Sequence, residues 1–191
     1  MKMRITLPIL LLVFTSCSGN YTPKPLGYLR FDPPSTSYFT FGTDSLPYSF
    51  SVSRLAIIES LHNDDTTKWL NIRYPDFKAT LFCTLNKTNP EILGRQVDEC
   101  VTLAIKSIKT KGDVKETDYE DVDKKVFAKM FTIVDGESSS PIRFLLTDSA
   151  TNFFSGALYY DFDAKTDSIA PVTDYIKQDI IRIIQTFSWN E

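Results

Sequence analysis

Three cysteines and one histidine are the residues of this chain best suited to covalent or catalytic chemistry. Cys17 follows the small residues Thr15 and Ser16 at the end of an apolar N-terminal run. That setting is typical of bacterial lipoproteins, in which the thiol is diacylated and the cysteine becomes the mature N-terminus. Phe14 stands where such signals usually carry leucine. We expect Cys17 to be lipidated; the alternative is an ordinary secreted protein with a leftover cysteine.

The residues before Cys17 have the three parts of a secretory signal peptide. Lys2 and Arg4 give a positive start, residues 5–14 are almost entirely apolar, and small residues follow. A membrane-spanning helix needs roughly 20 apolar residues, so this run is too short to remain as a span. The chain is therefore expected to divide into a signal peptide over residues 1–16, a lipid-anchored tether over residues 17–27 and a single domain over residues 28–191.

Cys83 and Cys100 lie in the predicted mature chain, where they would meet an oxidising compartment. Cys83 belongs to the apolar side of a predicted strand and Cys100 to the apolar stripe of the next helix, so we expect both in the same layer of core. A disulfide is then feasible if the Cα atoms come within about 7 Å. Two buried thiols are the alternative, because an unpaired cysteine behaves as a small hydrophobic residue.

His62 would have to serve any Ser-His-Asp or Cys-His arrangement, because it is the single histidine. It falls in a polar stretch that we interpret as a solvated turn between strands. The Asn-Asp-Asp that follows lacks the glycine turn and distal glutamate of a calcium loop. Cysteine and histidine are not spaced for zinc, and no glycine-rich phosphate loop is present. We predict a protein that is not an enzyme and has no cofactor and no metal site.

Composition restricts the classes of partner. The 191 residues are 42% hydrophobic and 13% aromatic, which is ample for a core. The net charge of −3 includes Lys2 and Arg4; without them, 19 basic residues face 24 acidic ones, a net charge of −5. Nucleic-acid binding requires clustered basic residues, so we expect no nucleic-acid partner. Membrane attachment would come from the N-terminal lipid instead of a polybasic patch.

The elements that must position these residues alternate between strands and helices. Residues 78–85 alternate apolar and polar side chains, which predicts a half-buried strand. Asn89 and Pro90 then open an amphipathic helix to about residue 110, and Pro171 opens a second one. Further strands are predicted over residues 37–41, 48–53, 55–60, 69–74, 125–134, 142–147 and 153–162, joined by short turns. The pattern predicts an α+β domain, an antiparallel sheet covered by at least two helices; helices on opposite faces would make it a three-layer α/β/α sandwich.

Several segments are similar to a known family. Residues 21–33 read YTPKPLGYLRFDP, and residues 167–189 read DSIAPVTDYIKQDIIRIIQTFSW. Between them, residues 144–149 read FLLTDS and residues 153–159 read FFSGALY. Together these segments resemble the gliding motility lipoproteins of Bacteroidetes called GldD, over essentially the whole mature chain. The order of elements also looks like the sandwich of PsbP and Mog1-type proteins.

The resemblance implies a non-enzymatic envelope component of surface gliding, which is tied to the type IX secretion system. Its expected partners are other envelope proteins of gliding and type IX secretion. Ser18 follows Cys17 without the acidic run that exports Bacteroidetes lipoproteins to the surface, so we expect a periplasm-facing protein; which membrane holds it stays open. A periplasmic module that binds a small ligand is the alternative function, and it would need a pocket.

A candidate partner contact is the proline-stiffened segment that leaves the tether. Lys24, Tyr28 and Arg30 lie in it, and the prolines at 23 and 25 favour an extended backbone. The alternative for this segment is a first strand that simply docks on the domain.

Overall fold

Strands dominate this domain, as the alternating sequence predicts. The computed structural model describes residues 32, 34–42, 46–63, 67–162 and 166–190. The predicted signal peptide, Cys17, the tether, and the candidate contacts Lys24, Tyr28 and Arg30 lie outside the described residues. The strands are β1 Tyr38–Phe41, β2 Tyr48–Ser53, β3 Ile57–Asn63, β4 Thr67–Tyr74, β5 Ala79–Lys87, β6 Asp113–Asp121, β7 Val126–Val134, β8 Ile142–Thr147, β9 Asn152–Tyr160 and β10 Ser188–Trp189. The helices are α1 Pro90–Lys106 and α2 Thr166–Thr186, and Pro75–Phe77 form a 3-10 turn.

Seven strands make one large sheet in the order β3-β4-β5-β9-β8-β7-β6. A small sheet has the order β1-β2-β10. Each strand pairing in the described part of the chain is antiparallel, as the short connecting turns predict. The strand pair β5 and β9 lies near the centre of the large sheet, although 64 residues separate the end of one strand from the start of the other.

Two apolar clusters lie on opposite faces of the large sheet. The larger one joins α2, the small sheet and one face of the large sheet; α2 contributes Ile176, Ile180, Ile183, Ile184 and Phe187 to it. The smaller one lies under α1, where Ala104 packs with Phe131, Leu145 and Phe153. Because side chains alternate along a strand, the two clusters take alternate residues of β8 and β9. The α+β prediction and the placement of helices on both faces are confirmed.

The start of α1 follows its sequence signal closely. Asn89 is the N-cap, and its side-chain oxygen accepts hydrogen bonds of 3.0 Å from the backbone N–H groups of Glu91 and Ile92. Pro90 occupies the first turn, where its missing N–H loses no helical bond. The helix ends at Lys106, earlier than predicted, because Ser107 turns back and donates a 2.7 Å bond to the carbonyl of Ala104.

Two local expectations were wrong. Helix α2 begins at Thr166, and Pro171 lies inside it, because proline is a tolerated early residue as well as a start signal. His62 is in strand β3, which continues to Asn63, and not in a turn.

The acidic stretch after Gly112 forms β6, an edge strand whose charges discourage pairing with another chain. Within the described residues, no helix has the length and apolarity needed to cross a membrane.

Candidate interaction surface

The two cysteines of the domain lie in different layers. Cys83 is 2% exposed and belongs to the larger apolar cluster, whereas Cys100 packs against the smaller cluster under α1. Both are free thiols. The expectation that they share one core layer was wrong, because α1 crosses to the opposite face of the sheet after β5 ends. The sheet itself separates the two sulfur atoms, and this geometry excludes a disulfide between them.

Neither thiol is activated for nucleophilic chemistry. Burial raises the pKa of the Cys100 thiol to about 11, although Arg143 nearby works in the opposite direction. Burial raises the pKa of the Cys83 thiol further still. Because the thiolate is the reactive form, both groups are held in the unreactive state at neutral pH.

Among the described residues, Asp179 is the one whose carboxyl group is buried, with 1% of its surface exposed. The Tyr38 hydroxyl donates a 2.8 Å hydrogen bond to its Oδ1. Burial is the largest cause of its raised pKa, and the nearby hydroxyl groups, that of Tyr38 first, oppose the rise. The side chains next to the Asp179 carboxyl group carry neutral hydroxyl groups. We therefore interpret Asp179 as a structural contact between elements. In the described part of the chain, no group of three or more His, Cys, Asp or Glu side chains could hold a metal ion.

Grooves on the surface are small for a ligand site. One of about 310 Å³ lies beside α1 and is lined by Val97, Phe127 and Leu145, with the ion pair of Lys129 and Asp118 at its rim. Others of about 320 and 310 Å³ lie near Tyr160 and near Tyr119. These volumes are at the lower end of the range for small-molecule sites, about 300–1,000 Å³.

A larger feature is the part of the sheet that α1 leaves uncovered. Helix α1 packs on β6, β7 and β8, at one end of the large sheet, and its cluster extends to Phe153 at the start of β9. We call the same face of β3, β4, β5 and β9 the open face; its outward side chains alternate with those of the larger cluster. Those described are Ile57, Glu59, Trp69, Asn71, Arg73, Thr80, Phe82, Thr84, Asn86, Ser155, Ala157 and Tyr159. Thr80 and Ala157 lie on this face but are buried.

Three large apolar side chains are exposed on the open face. Ile57 is 47% exposed, Trp69 45% and Phe82 47%. Asn71 pairs with Phe82 and Trp69 pairs with Thr84 across β4 and β5, so the two aromatic rings are diagonal neighbours. Ile57 stands apart from them, opposite Arg73 at the edge of the same face. Exposed apolar residues that stand singly need no explanation, but a neighbouring pair of large aromatic side chains on one face is a candidate interaction site.

A polar network borders this apolar group. The Phe82 and Tyr159 rings meet edge to face with centroids 5.7 Å apart. Arg143 of β8 donates a 2.6 Å hydrogen bond to the Tyr159 hydroxyl, and its guanidinium carbon lies 5.8 Å from the ring centroid. Arg73 and Glu59 form an ion pair of 2.9 Å between Nε and Oε1. The open face therefore combines exposed aromatic side chains, one internal ion pair and an adjacent cation.

The sequence carries a signal for this surface that our predictions did not use. Leu81, Cys83 and Leu85 mark the buried side of β5, so Phe82 between them is an aromatic side chain on the polar side. Trp69 breaks the pattern of β4 in the same way, because Leu70, Ile72 and Tyr74 face the core. Two aromatic side chains on the polar sides of neighbouring strands would have indicated a candidate interaction surface.

Comparison with known proteins identifies a family and a solved structure of similar fold. The model of the family "Gliding motility lipoprotein GldD" matches residues 18–189. No curated protein sequence matches the chain. Among solved structures, the cyanobacterial PsbP (CyanoP) of Synechocystis sp. PCC 6803 is similar, with a TM-score of 0.49 and 9% sequence identity over 87% of this chain and 100% of that one. Because the family match spans nearly the whole chain after Cys17, the protein belongs to the gliding motility lipoprotein GldD family.

Proposed function

We propose that this gliding motility lipoprotein faces the periplasm, is anchored through Cys17, and acts without catalysis by binding other envelope proteins. The same contacts serve gliding and the associated type IX secretion. The lipid holds the domain at a membrane, and the domain presents a binding surface to the machinery.

The open face is the observation that carries the proposal. It groups Ile57, Trp69 and Phe82, each close to half exposed, on a part of the sheet that α1 does not reach. Covering apolar surface of this kind is favourable by about 25 cal/mol per Å² removed from water. Aromatic side chains at the centre of an interface contribute a large share of its binding energy. A partner bound to this face would cover the part of the sheet that α1 leaves exposed.

The test combines a deletion strain with variants of the open face. Deletion is expected to abolish colony spreading and reduce secretion, and the wild-type gene should restore both. The double variant Trp69→Ser and Phe82→Ser should fail to restore them, although its abundance in the membrane fraction stays normal. Val122→Ser is the matched control, because Val122 is 66% exposed in the turn between β6 and β7, away from the open face. Normal spreading and secretion in the deletion strain would overturn the proposed function.

Anchoring through Cys17 has its own test. Cells fed an alkyne-labelled fatty acid should label the wild-type protein and not the Cys17→Ser variant, and the variant should leave the membrane fraction. If the domain faces the periplasm, protease added to intact cells should leave the protein uncut. Protease added after the outer membrane is opened should digest it. The candidate contact at Lys24, Tyr28 and Arg30 stays a prediction; Arg30→Glu should impair spreading if that segment binds a partner.

A further inference from the structure

We propose that the open face recognises an acidic and apolar segment of a partner protein, and that Arg143 pairs with the carboxylate of that segment. This inference rests on the proposed function and names the chemistry of the partner that the surface accepts.

A segment docked on the open face would contact Arg143. Arg143 pairs with Ala157 across β8 and β9, and its side chain extends toward Tyr159 on the open face. One guanidinium nitrogen donates to the Tyr159 hydroxyl, while the buried Nε–H has no acceptor among the described residues. Tyr159 in turn touches Phe82, which is one of the exposed apolar side chains. A partner that covers Phe82 and Tyr159 therefore covers the guanidinium as well.

In the described part of the chain, no carboxylate forms an ion pair with Arg143. Glu59, the acidic side chain of the open face, is held by Arg73 at 2.9 Å. Helix α1 presents Cys100 near Arg143, and this thiol is neutral because burial raises its pKa. Tyr159 offers a neutral hydroxyl and an aromatic ring. Glu99, which also acts on the Cys100 thiol, is exposed on α1 and forms no described ion pair with Arg143. The described contacts of the guanidinium are thus with neutral groups.

Desolvation of that cation determines the chemistry of the partner. A charge removed from water is strongly unfavourable unless an opposite charge and hydrogen bonds replace the water. Of the five N–H donors of Arg143, one is used by Tyr159 and the Nε–H is buried, and a carboxylate can accept two of the remaining three in parallel. A segment that placed apolar side chains on Trp69 and Phe82 without a carboxylate would bury an unpaired cation. The favoured segment has an Asp, a Glu or a chain terminus within reach of a large apolar side chain.

Two other occupants fit the surface less well. A second copy that docks through its own open face brings Glu59, which Arg73 already neutralises. An anionic membrane favours several projecting basic side chains, as in polybasic segments. Among the described residues, the open face instead carries the paired Arg73 and is bordered by the half-buried Arg143 of β8, in a mature chain with a predicted net charge of −5. These occupants are outcomes that the experiment can detect.

The experiment places a photo-activated cross-linker, p-benzoylphenylalanine, at Asn71 in the full-length lipoprotein in living cells. Asn71 is on the open face and pairs with Phe82, so its replacement leaves the aromatic group in place. Mass spectrometry then maps the cross-linked peptide, which is expected to belong to another envelope protein and to contain an acidic residue near the cross-link. Arg143→Gln and Arg143→Glu should each reduce the cross-link at least about tenfold, because a desolvated charge pair is lost.

Arg182→Gln is the matched control. The Arg182 guanidinium lies 5.5 Å from the Tyr38 ring, much as Arg143 lies over Tyr159, but on the opposite side of the sheet. This variant should leave the cross-link unchanged. A charge exchange completes the test: lysine at the mapped acidic residue of the partner should restore the cross-link to the Arg143→Glu variant. Thermal unfolding of each variant separates loss of binding from loss of fold.

Retention of the cross-link in folded Arg143→Gln would overturn the inference. So would a cross-link to a phospholipid, to a second copy of this chain, or to a peptide without an acidic residue. These results are distinct from failure of the proposed function, which is read from spreading and secretion in the deletion strain.

Discussion

The Tyr38 hydroxyl donates a 2.8 Å hydrogen bond to Oδ1 of Asp179, and this bond joins the first strand of the domain to its last helix. The two residues are 141 positions apart in the chain. Tyr38 also lies beneath the Arg182 guanidinium, one turn further along α2. In the chain, β1 follows the predicted tether, so we expect this contact to connect the first strand after the anchor to the rest of the domain.

Replacement of Asp179 by Asn should flatten the dependence of stability on pH. Burial raises the pKa of Asp179 in the folded protein above its ordinary value of 3.8. The protonated form is therefore favoured by folding, and its stabilising contribution is complete below the unfolded pKa and is lost as pH rises through the folded pKa. From about pH 4 upward, Asp179→Asn should lose less stability than the wild type in urea unfolding. Asp174→Asn, at an exposed position of the same helix, is the control. Identical pH slopes for wild type and Asp179→Asn would contradict this role.

Gly156 should not tolerate even a methyl group. It pairs with Cys83 on one side and Phe144 on the other, near the centre of the large sheet. A Cβ atom there would lie 2.4 Å from Cε1 of Phe144 and 3.2 Å from Sγ of Cys83. Overpacking of a closed core costs about 1–3 kcal/mol, which we expect as the loss in the free energy of unfolding of Gly156→Ala.

The control for Gly156 is Gly94→Ala in helix α1. A Cβ at Gly94 would meet nothing within 4 Å. Alanine is favoured over glycine inside a helix by about 0.8–1 kcal/mol, so this variant should be more stable than the wild type. The two glycines are thus expected to respond to the same substitution with opposite signs. A Gly156→Ala protein as stable as the wild type would show that the sheet relaxes around the added atom.

The two thiols of the domain should remain unpaired and react at different rates. In the Cys17→Ser variant, a thiol reagent at pH 8 should modify Cys100 slowly, because at a pKa of about 11 roughly one thiol in a thousand is ionised. Cys83, which is 2% exposed, should react after unfolding. Mild oxidation should leave both thiols free, because the sheet separates them. Detection of a Cys83–Cys100 disulfide in the folded protein would refute this arrangement.

Asp148 should stabilise the turn between β8 and β9. Its Oδ1 accepts backbone hydrogen bonds from Ala150, Thr151 and Asn152 at 2.8–2.9 Å. Burial alone would raise the pKa of Asp148, but these bonds outweigh it and lower the pKa to about 2. We expect Asp148→Ala to lose about 1–3 kcal/mol in the free energy of unfolding at neutral pH.

The pH dependence of that loss has a defined sign. Because the folded pKa of Asp148 is below its ordinary value of 3.8, the stabilisation is present above that value and disappears as pH falls toward 2. The difference between wild type and Asp148→Ala should therefore shrink between about pH 4 and pH 2 in chemical unfolding. Asp161→Ala, at an exposed position just after β9, should lack this pattern. A difference that persists at pH 2 would assign the loss to another cause.

Local signals in the sequence were enough for most elements. Asn89 and Pro90 predict the start of α1 because an N-cap acts on backbone groups within one helical turn. The alternation around Leu81 and Leu85 predicts β5 because side chains of a strand alternate between its faces. The antiparallel pairing followed from turns too short for a crossover. The family could also be read from contiguous segments, and its model matches residues 18–189.

The tertiary structure decided what those elements bring together. Periodicity shows that a strand has a buried side and a polar side, but it does not show which parts of the sheet a helix will cover. For that reason the sequence placed Cys83 and Cys100 in one layer, and the crossing of α1 to the other face separates them. The same crossing leaves Phe82 exposed, whereas Arg143 meets Tyr159 within the hairpin of β8 and β9 that the short turn predicts. The sequence by itself determined the strands, the helices and the predicted anchor, because these depend on neighbouring residues. The proposed binding surface depends on long-range packing, and only the fold defines it.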